Sequence, residues 1–148
     1  MYIRQFFSLF LFRFSAATKY EAEFTWPKDS VITYVYKEVD THNALNMGTG
    51  AFTAPFSGVY GFTFTARFNC GYDGRGLSVF HNEKYAFTIH QCRLLLTDST
   101  SDYIYVSDTV HFTRIMQKGD RLQIYSGTAE LNTSIVNARF NGFLLKKN

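Results

Sequence analysis

Apolar and polar residues alternate with a period of two over most of the chain. The pattern is clearest over residues 59–68, where large apolar residues fall on one face of an extended segment and smaller or polar residues fall on the other. The first face holds Tyr60, Phe62, Phe64, Ala66 and Phe68. A helix would scatter these side chains around its axis, so the segment is predicted to be a β-strand with one buried face.

The same alternation predicts further strands along the chain. They are expected at residues 10–16, 31–39, 77–80, 85–89, 103–106, 109–116, 121–125 and 135–145, with short strands inside the polar stretch 18–30 and at Phe52. Residues 81–84 are predicted to connect a hairpin, and Gly119 is predicted to take a positive φ in a turn. About ten short strands without a long helix predict an all-β jelly-roll or immunoglobulin-like sandwich.

Composition changes one part of this picture. The 148 residues suffice for one domain with one core, and they include 16 Phe, 10 Tyr and one Trp. A single sandwich of this size buries only part of so many rings. Because aromatic side chains concentrate in the cores of protein interfaces, we expect a subunit interface to cover others.

Charge and hydropathy exclude two classes of partner. The net charge is +3, and no basic run is longer than Lys146-Lys147, so we expect no binding to nucleic acid. No apolar stretch approaches the length of a membrane span, so we expect no membrane insertion. The first residues resemble a signal peptide, yet 10–16 also alternate as a strand. We favour the strand and treat residues 1–11 as a leader or N-terminal extension.

The chemistry-bearing residues form no catalytic motif. The chain has no Gly-x-Ser-x-Gly elbow, no His-Glu-x-x-His helix and no glycine-rich phosphate loop. Its four histidines are isolated, and two cysteines cannot make a zinc site with them. We therefore expect no enzymatic activity, no catalytic residues and no cofactor. For Cys70 and Cys92, a disulfide and two free thiols are both open.

Residues 34–64 carry a longer motif, in which an aromatic residue, an Asp, a Leu and a Phe precede Gly-x-Tyr-x-Phe-x-Phe. Its members are Tyr34, Asp40, Leu45, Phe52, Gly58, Tyr60, Phe62 and Phe64. The motif resembles the signature of the complement C1q globular-head family, which has Phe where this chain has Tyr34. Gly119-Asp120 resembles the family's turn before a late strand, and Phe140-Asn141-Gly142 resembles its closing strand.

The resemblance covers roughly residues 12–146 and sharpens the expected fold. It implies a ten-stranded jelly-roll β-sandwich similar to tumour necrosis factor, occupying residues 12–148. It also implies a homotrimer about a threefold axis, which agrees with the surplus of rings because obligate interfaces resemble a domain core cut in half. Like the family, the chain is expected to be extracellular and secreted.

The resemblance also implies a function in recognition. The first hypothesis is a non-enzymatic homotrimer that binds microbial glycans or lipopolysaccharide-type ligands by multivalency in innate immunity. The alternative is a receptor-binding signalling ligand of the cerebellin or adipokine type, which acts by protein–protein interaction. Loops at 69–75, 90–102 and 127–134 are expected to carry the ligand, with Tyr72, Arg75 and Arg93 as candidate contacts.

Three modifications or ions remain as expectations. Cys92 lies near a position of the family's local disulfide, which favours a Cys70–Cys92 bridge. Asn132-Thr133-Ser134 is a glycosylation sequon. Some family members bind calcium through Asp residues, and Asp98, Asp102 and Asp108 have suitable oxygens. However, His90 stands where the family's first Asp aligns, so calcium is not assigned.

Overall fold

The computed structural model describes residues 12–19, 23–27, 29–70, 76–91, 104–126 and 133–148. The leader or extension expected at 1–11 lies outside these ranges. The described residues form eleven strands and no helix. In chain order the strands are β1 (Arg13–Ala17), β2 (Glu23–Trp26), β3 (Tyr36–Asp40), β4 (Leu45–Asn46), β5 (Ala51–Thr53), β6 (Gly58–Cys70), β7 (Gly76–His81), β8 (Lys84–Gln91), β9 (Ile104–Met116), β10 (Arg121–Ser126) and β11 (Thr133–Lys147).

The strands make two antiparallel sheets, which confirms the predicted jelly-roll class. Sheet A has the order β3-β1-β11-β6-β9, and sheet B has the order β4-β5-β10-β7-β8. β2 also belongs to sheet A, because it pairs with the beginning of β11 while β1 pairs further along the same strand. β1 and β2 thus share one side of β11, so eleven strands occupy ten positions.

Residues 31–39 differ from the single strand predicted there. Only the part from Tyr36 belongs to a ladder, and Val31 makes one isolated bridge. The amide of Ile32 donates to Ile124 of sheet B at 2.8 Å, whereas the amide of Val35 donates to Ala17 of sheet A at 2.9 Å. The segment therefore crosses from one sheet to the other, which alternation alone does not reveal.

Residues 103–106 and 109–116 were predicted as two strands, and this was wrong. β9 is continuous over thirteen residues and pairs with β6 from Cys70↔Ile104 to Gly58↔Met116 without a register shift. The polar residues Ser107 and Asp108 interrupt the sequence pattern, although the strand itself continues through them. In the structure both residues occupy ordinary ladder positions opposite Arg67 and Ala66.

The hairpin between β7 and β8 is tighter than the predicted four-residue connection. His81 pairs with Lys84, so only Asn82 and Glu83 form the turn. Both have positive φ, 50° and 65°, which is the conformation of a type I′ turn and follows the twist of the two strands. Gly119 has the positive φ predicted for it, 92°.

The core consists mainly of aromatic rings held between the sheets. From β6 the inward residues are Tyr60, Phe62 and Phe64, all buried. Phe52 of sheet B lies 5.3 Å from Phe62 and 5.1 Å from Phe14 between ring centres. The predicted alternation is confirmed over 59–67, because its apolar face supplies the contact that joins the two sheets.

Two glycines of the recognised motif are explained by close packing. Gly58 lies in β6 without a positive φ, so a turn conformation does not require it. A Cβ at Gly58 would instead collide with the carbonyl oxygen of Lys146. A Cβ at Gly142 would collide with the ring of Phe14. Both positions therefore require glycine because neighbouring strands or rings lie directly against the backbone.

Two buried tyrosines differ in how their hydroxyls are satisfied. The Tyr34 hydroxyl is buried and has no hydrogen-bond partner among the described residues. Burial alone raises the pKa of this phenol well above its usual range. The Tyr60 hydroxyl donates to the Phe56 carbonyl at 2.6 Å and accepts from the Phe56 amide at 3.1 Å.

These two sites predict opposite effects of one chemical change. Tyr34→Phe removes an unsatisfied buried group and should raise the free energy of unfolding, by about 1 kcal/mol. Tyr60→Phe leaves the Phe56 amide and carbonyl without their partner and should lower it by about 1–2 kcal/mol. Denaturant unfolding of the two variants measures both. A Tyr34→Phe protein as destabilised as Tyr60→Phe would contradict the assignment.

Candidate functional site

The outward side of sheet A is the first functional candidate in the described structure. Because side chains alternate along each strand, the residues between the buried rings of β6 point away from the core. On three neighbouring strands, some of these outward positions carry apolar residues. We call this group the apolar face; it consists of Val59 and Gly61 of β6, Ile115 of β9, and Phe143 and Leu145 of β11.

The strand register brings these residues together. Val59 pairs with Ile115, and Gly61 pairs with Phe143. The Phe143 ring lies directly over Gly61, where a Cβ would come within 2.8 Å of the ring. Beside it is a shallow cavity of about 310 Å³. Ile115, Leu145 and Phe143 remain 67%, 51% and 44% exposed, so a contiguous apolar area is uncovered on one face.

Four of the polar residues beside the apolar face bond to each other within the chain. Thr63 contacts His111 at 2.9 Å, and Thr65 contacts Thr109 at 3.0 Å through its hydroxyl. Depletion of charge at the centre of a patch, next to large apolar side chains, is typical of protein interfaces. A solvated monomer surface rarely has this composition over a contiguous area.

A second arrangement joins the β7–β8 turn to the β9–β10 turn through Asp120. Its Oδ1 accepts from Asn82 Nδ2 at 3.0 Å. Its Oδ2 accepts from the Gln117 amide at 2.9 Å and lies 3.0 Å from His81 Nε2. These contacts lower the pKa of the Asp120 carboxyl, first through Asn82, then through the Gln117 amide and His81.

The remaining residues of the motif have structural surroundings. Asp40 accepts from the amides of Ala44 and Leu45 at 2.8 and 3.0 Å, and so closes the turn before β4. Leu45 and Phe140 are fully buried, and the Tyr34 ring stacks on Phe140 at 5.8 Å. The structure thus brings the motif together around the core and the strand ends.

Most of the predicted ligand and modification residues lie outside the part of the chain that the structure describes. Those outside the described residues are Tyr72, Arg75, Cys92, Arg93, Asp98, Asp102 and Asn132. Cys70 is the last residue of β6, and Asp108 lies in β9 with its Oδ1 accepting from the Thr109 amide at 2.8 Å. Within the described ranges, no three His, Cys, Asp or Glu side chains are grouped as metal ligands.

With the sheets and their exposed face established, comparison with known proteins identifies the family. The sequence model of the C1q domain matches residues 13–145. The chain belongs to the C1q domain family. A comparison with curated proteins finds no match. C1q and tumour necrosis factor-like domains are typically non-enzymatic recognition or ligand modules and generally form trimers.

Solved structures agree with this C1q domain in fold. The globular domain of zebrafish complement 1qA protein is 24% identical, with a TM-score of 0.67 over 92% of this chain and 98% of that chain. The Eiger tumour necrosis factor from S. frugiperda is 15% identical, with a TM-score of 0.74 over 94% of this chain and 95% of that one. C1q domain proteins are typically extracellular. In the described part of this chain, no helix has the length and hydropathy to cross a membrane.

Sequence reasoning expected an interface but did not name its residues. The available signal was the run Phe143-Leu144-Leu145, in which three consecutive apolar residues break the alternation of a half-buried strand. Only Leu144 is buried in the domain's own core. Ile115 gives the same signal, because it is apolar whereas the outward positions that precede it on β9 are polar.

The Asp120 contacts predict an acid-sensitive part of the domain's stability. A carboxyl whose folded-state pKa is lowered adds stability above its unfolded-state pKa, and this stability is lost as the pH falls through the folded-state value. Unfolding free energy should therefore decline between about pH 5 and pH 2, and Asp120→Asn should flatten this decline. Denaturant unfolding across this range tests it, with Asp29→Asn as the surface control. Identical pH profiles for the wild type and Asp120→Asn would contradict the prediction.

Proposed function

We propose that this C1q domain is a secreted homotrimeric recognition module that binds microbial glycans or lipopolysaccharide-type ligands in innate immunity, without enzymatic activity. The observation that carries the proposal is the uncovered apolar face on a domain whose family generally assembles as trimers. Three identical faces turned toward a common axis would remove this area from water, at about 25 cal/mol per Å² buried.

Assembly also supplies the affinity that a recognition module needs. Each subunit offers loops and shallow surfaces, and the cavity beside the apolar face is open rather than deep. Three weak sites on one rigid trimer engage a repetitive surface together, which raises the overall affinity by orders of magnitude. Residues 69–75, 90–102 and 127–134 stay our proposed contacts, with Tyr72, Arg75 and Arg93 as candidates. The expectation that they are loops throughout was wrong at their ends, because 69–70, 90–91 and 133–134 belong to β6, β8 and β11.

A receptor-binding ligand of the cerebellin or adipokine type is the second candidate. The similarity in fold to a tumour necrosis factor favours it. In that case the trimer would bind a cell-surface protein, and competing sugars would leave the binding unchanged. Capture from cell surfaces with and without a sugar mixture separates the two functions.

Secretion would permit two covalent modifications, a disulfide and a glycan. We propose a Cys70–Cys92 disulfide, because oxidising compartments favour such bridges, and a glycan on Asn132 of the sequon. Calcium is not part of the proposal, because His90 stands where the family's first Asp aligns. Intact-mass measurement before and after reduction and deglycosylation tests both modifications.

The assembly proposal predicts a mass and a variant that changes it. Light scattering of the wild type should give close to three times the 17.1 kDa chain mass. Phe143→Asp places a charge in the apolar face and should give a folded monomer, because an unpaired buried charge opposes association. Val35→Asp, at a position that is also exposed but outside this face, should remain trimeric. A monomeric wild type would overturn the proposal.

The recognition proposal predicts binding on a microbial glycan array. The wild-type trimer should bind, and the monomeric Phe143→Asp protein should bind on the order of 100-fold more weakly, because it loses multivalency. A trimer with its three loops scrambled is the control. Binding no stronger than that of this control would contradict glycan recognition and favour the receptor-ligand function.

A further inference from the structure

The side of the sandwich between β8 and β9 contains a polar cleft. β8 is an edge strand of sheet B and β9 is an edge strand of sheet A, so the two sheets are not bridged by another described strand here. Deeper in, Phe87 of β8 meets Phe112 of β9 at 5.3 Å with their rings nearly perpendicular. Two open cavities of about 300 and 460 Å³ lie along this side, and both are lined by His81 and Arg114.

Arg114 is held in this cleft by its neighbours. Its guanidinium carbon lies 5.7 Å from the centre of the Phe87 ring, and its Nε donates to His81 Nδ1 at 3.3 Å. A guanidinium can only donate hydrogen bonds, so His81 Nδ1 is the acceptor. His81 Nε2 then carries the hydrogen and donates to Asp120. The ring and the imidazole thus hold the arginine, and its terminal nitrogens have no hydrogen-bond partner among the described residues.

The charges around the cleft are not balanced. Both oxygens of Asp120 have partners, and Glu83 pairs with Arg121 at 3.4 Å. Arg114 and Lys84 have no acidic partner among the described residues. Asp120 keeps its negative charge, because its donors are an amide, a backbone N–H and a neutral imidazole. The three cations Arg114, Lys84 and Arg121 nevertheless outnumber the two carboxylates Asp120 and Glu83 around the cleft, which makes it suited to an anion. Arginine is the residue whose planar fork pairs with a carboxylate or phosphate through two hydrogen bonds.

An aromatic ring borders the same cleft. Tyr85 is 60% exposed and lines the smaller cavity together with Lys84 and Ala86. Its ring is perpendicular to Phe80 at 6.0 Å, and its hydroxyl lies 3.2 Å from the Thr88 hydroxyl. The ring is therefore held in place while much of it stays accessible. A fixed, exposed aromatic surface beside hydrogen-bond donors can pack against the apolar side of a sugar ring.

We propose that this cleft binds the anionic sugar of a glycan, with the sugar ring on Tyr85 and its carboxylate or phosphate on Arg114 and Lys84. The inference rests on the proposed glycan recognition and names the chemical class of ligand and its position. The site lies on β8, β9 and the β7–β8 turn, not in the loops expected from the sequence. Its Arg114 side adjoins Val59 and Ile115 of the apolar face, so each subunit of a trimer carries one cleft beside its interface.

Three simple probes test the ligand class by calorimetric or NMR titration of the intact wild-type protein. Methyl glucuronide carries a carboxylate, glucose 6-phosphate carries a phosphate, and methyl glucoside is neutral. At least one anionic probe should bind at least ten-fold more tightly than the neutral probe, and the preference should weaken with salt because the ions are partly solvated. The stronger anionic probe identifies the group. Equal affinity for all three probes would overturn the proposal.

Variants locate the site. Arg114→Gln should weaken binding of the preferred anionic probe at least ten-fold, and Lys84→Gln and Tyr85→Ala should each weaken it several-fold. Arg13→Gln changes an exposed arginine on β1, three strands from β9 in sheet A, and should bind as the wild type does. Lys84 and Tyr85 are exposed, so their variants test the site even where Arg114→Gln fails to fold.

The outcomes separate this inference from the function on which it rests. If Arg114→Gln, Lys84→Gln and Tyr85→Ala all keep wild-type affinity for acidic glycans, the cleft is not the site, while glycan recognition stands. If the wild-type trimer binds neither the array glycans nor any of the three probes, the proposed glycan recognition fails as well.

Discussion

The packing of aromatic rings between the two sheets is the interaction on which the rest of the structure depends. Phe62 meets Phe52 across the sandwich and stacks on Phe112 and Phe140 of the adjacent strands, at 5.2 and 5.8 Å. These rings fix which side of each strand faces inward. Since a slip of one residue would exchange the two faces of a strand, the rings also fix what sheet A presents to its surroundings.

The outer surfaces follow from that constraint. Antiparallel sheets commonly have one face on the core and one face in solvent. Sheet A has apolar residues on both, with Phe62 and Phe140 inside and Ile115 and Phe143 outside. The second apolar side accounts for one exposed ring, Phe143, together with the exposed aliphatic side chains of Ile115 and Leu145. The same alternation along β9 turns Phe112 and Arg114 toward the sandwich and Thr113 and Ile115 away from it, so one strand supplies both the polar cleft and the apolar face.

The sequence predicted the fold well where a single strand contains the whole signal. The alternation of Tyr60, Phe62 and Phe64 is local, and the turn at Gly119 needs only one residue. The prediction failed where the hydrogen-bonding partner determines the structure. Residues 32–35 alternate like a strand, but they bond first to one sheet and then to the other. Position 58 requires glycine because the Lys146 carbonyl lies against it across the ladder. No local sequence pattern contains this information.

The candidate sites were harder to predict for the same reason. The apolar face joins Val59, Ile115 and Phe143 from β6, β9 and β11. The cleft joins His81, Tyr85 and Arg114 from β7, β8 and β9. Their proximity arises from register and sheet order, not from spacing along the chain. The sequence could indicate a surplus of rings and the absence of known catalytic motifs, but not the residues that fold together.

The uninterrupted ladder of β9 has a consequence for how the protein matures. Over thirteen residues without a bulge, this strand bonds to β6 on one side and has no other described strand on the second. A long, regular edge strand of this kind can pair with a strand of another chain and so lead to aggregation. A newly made chain is thus vulnerable to aggregation along β9 until another part of the protein or a partner shields that edge.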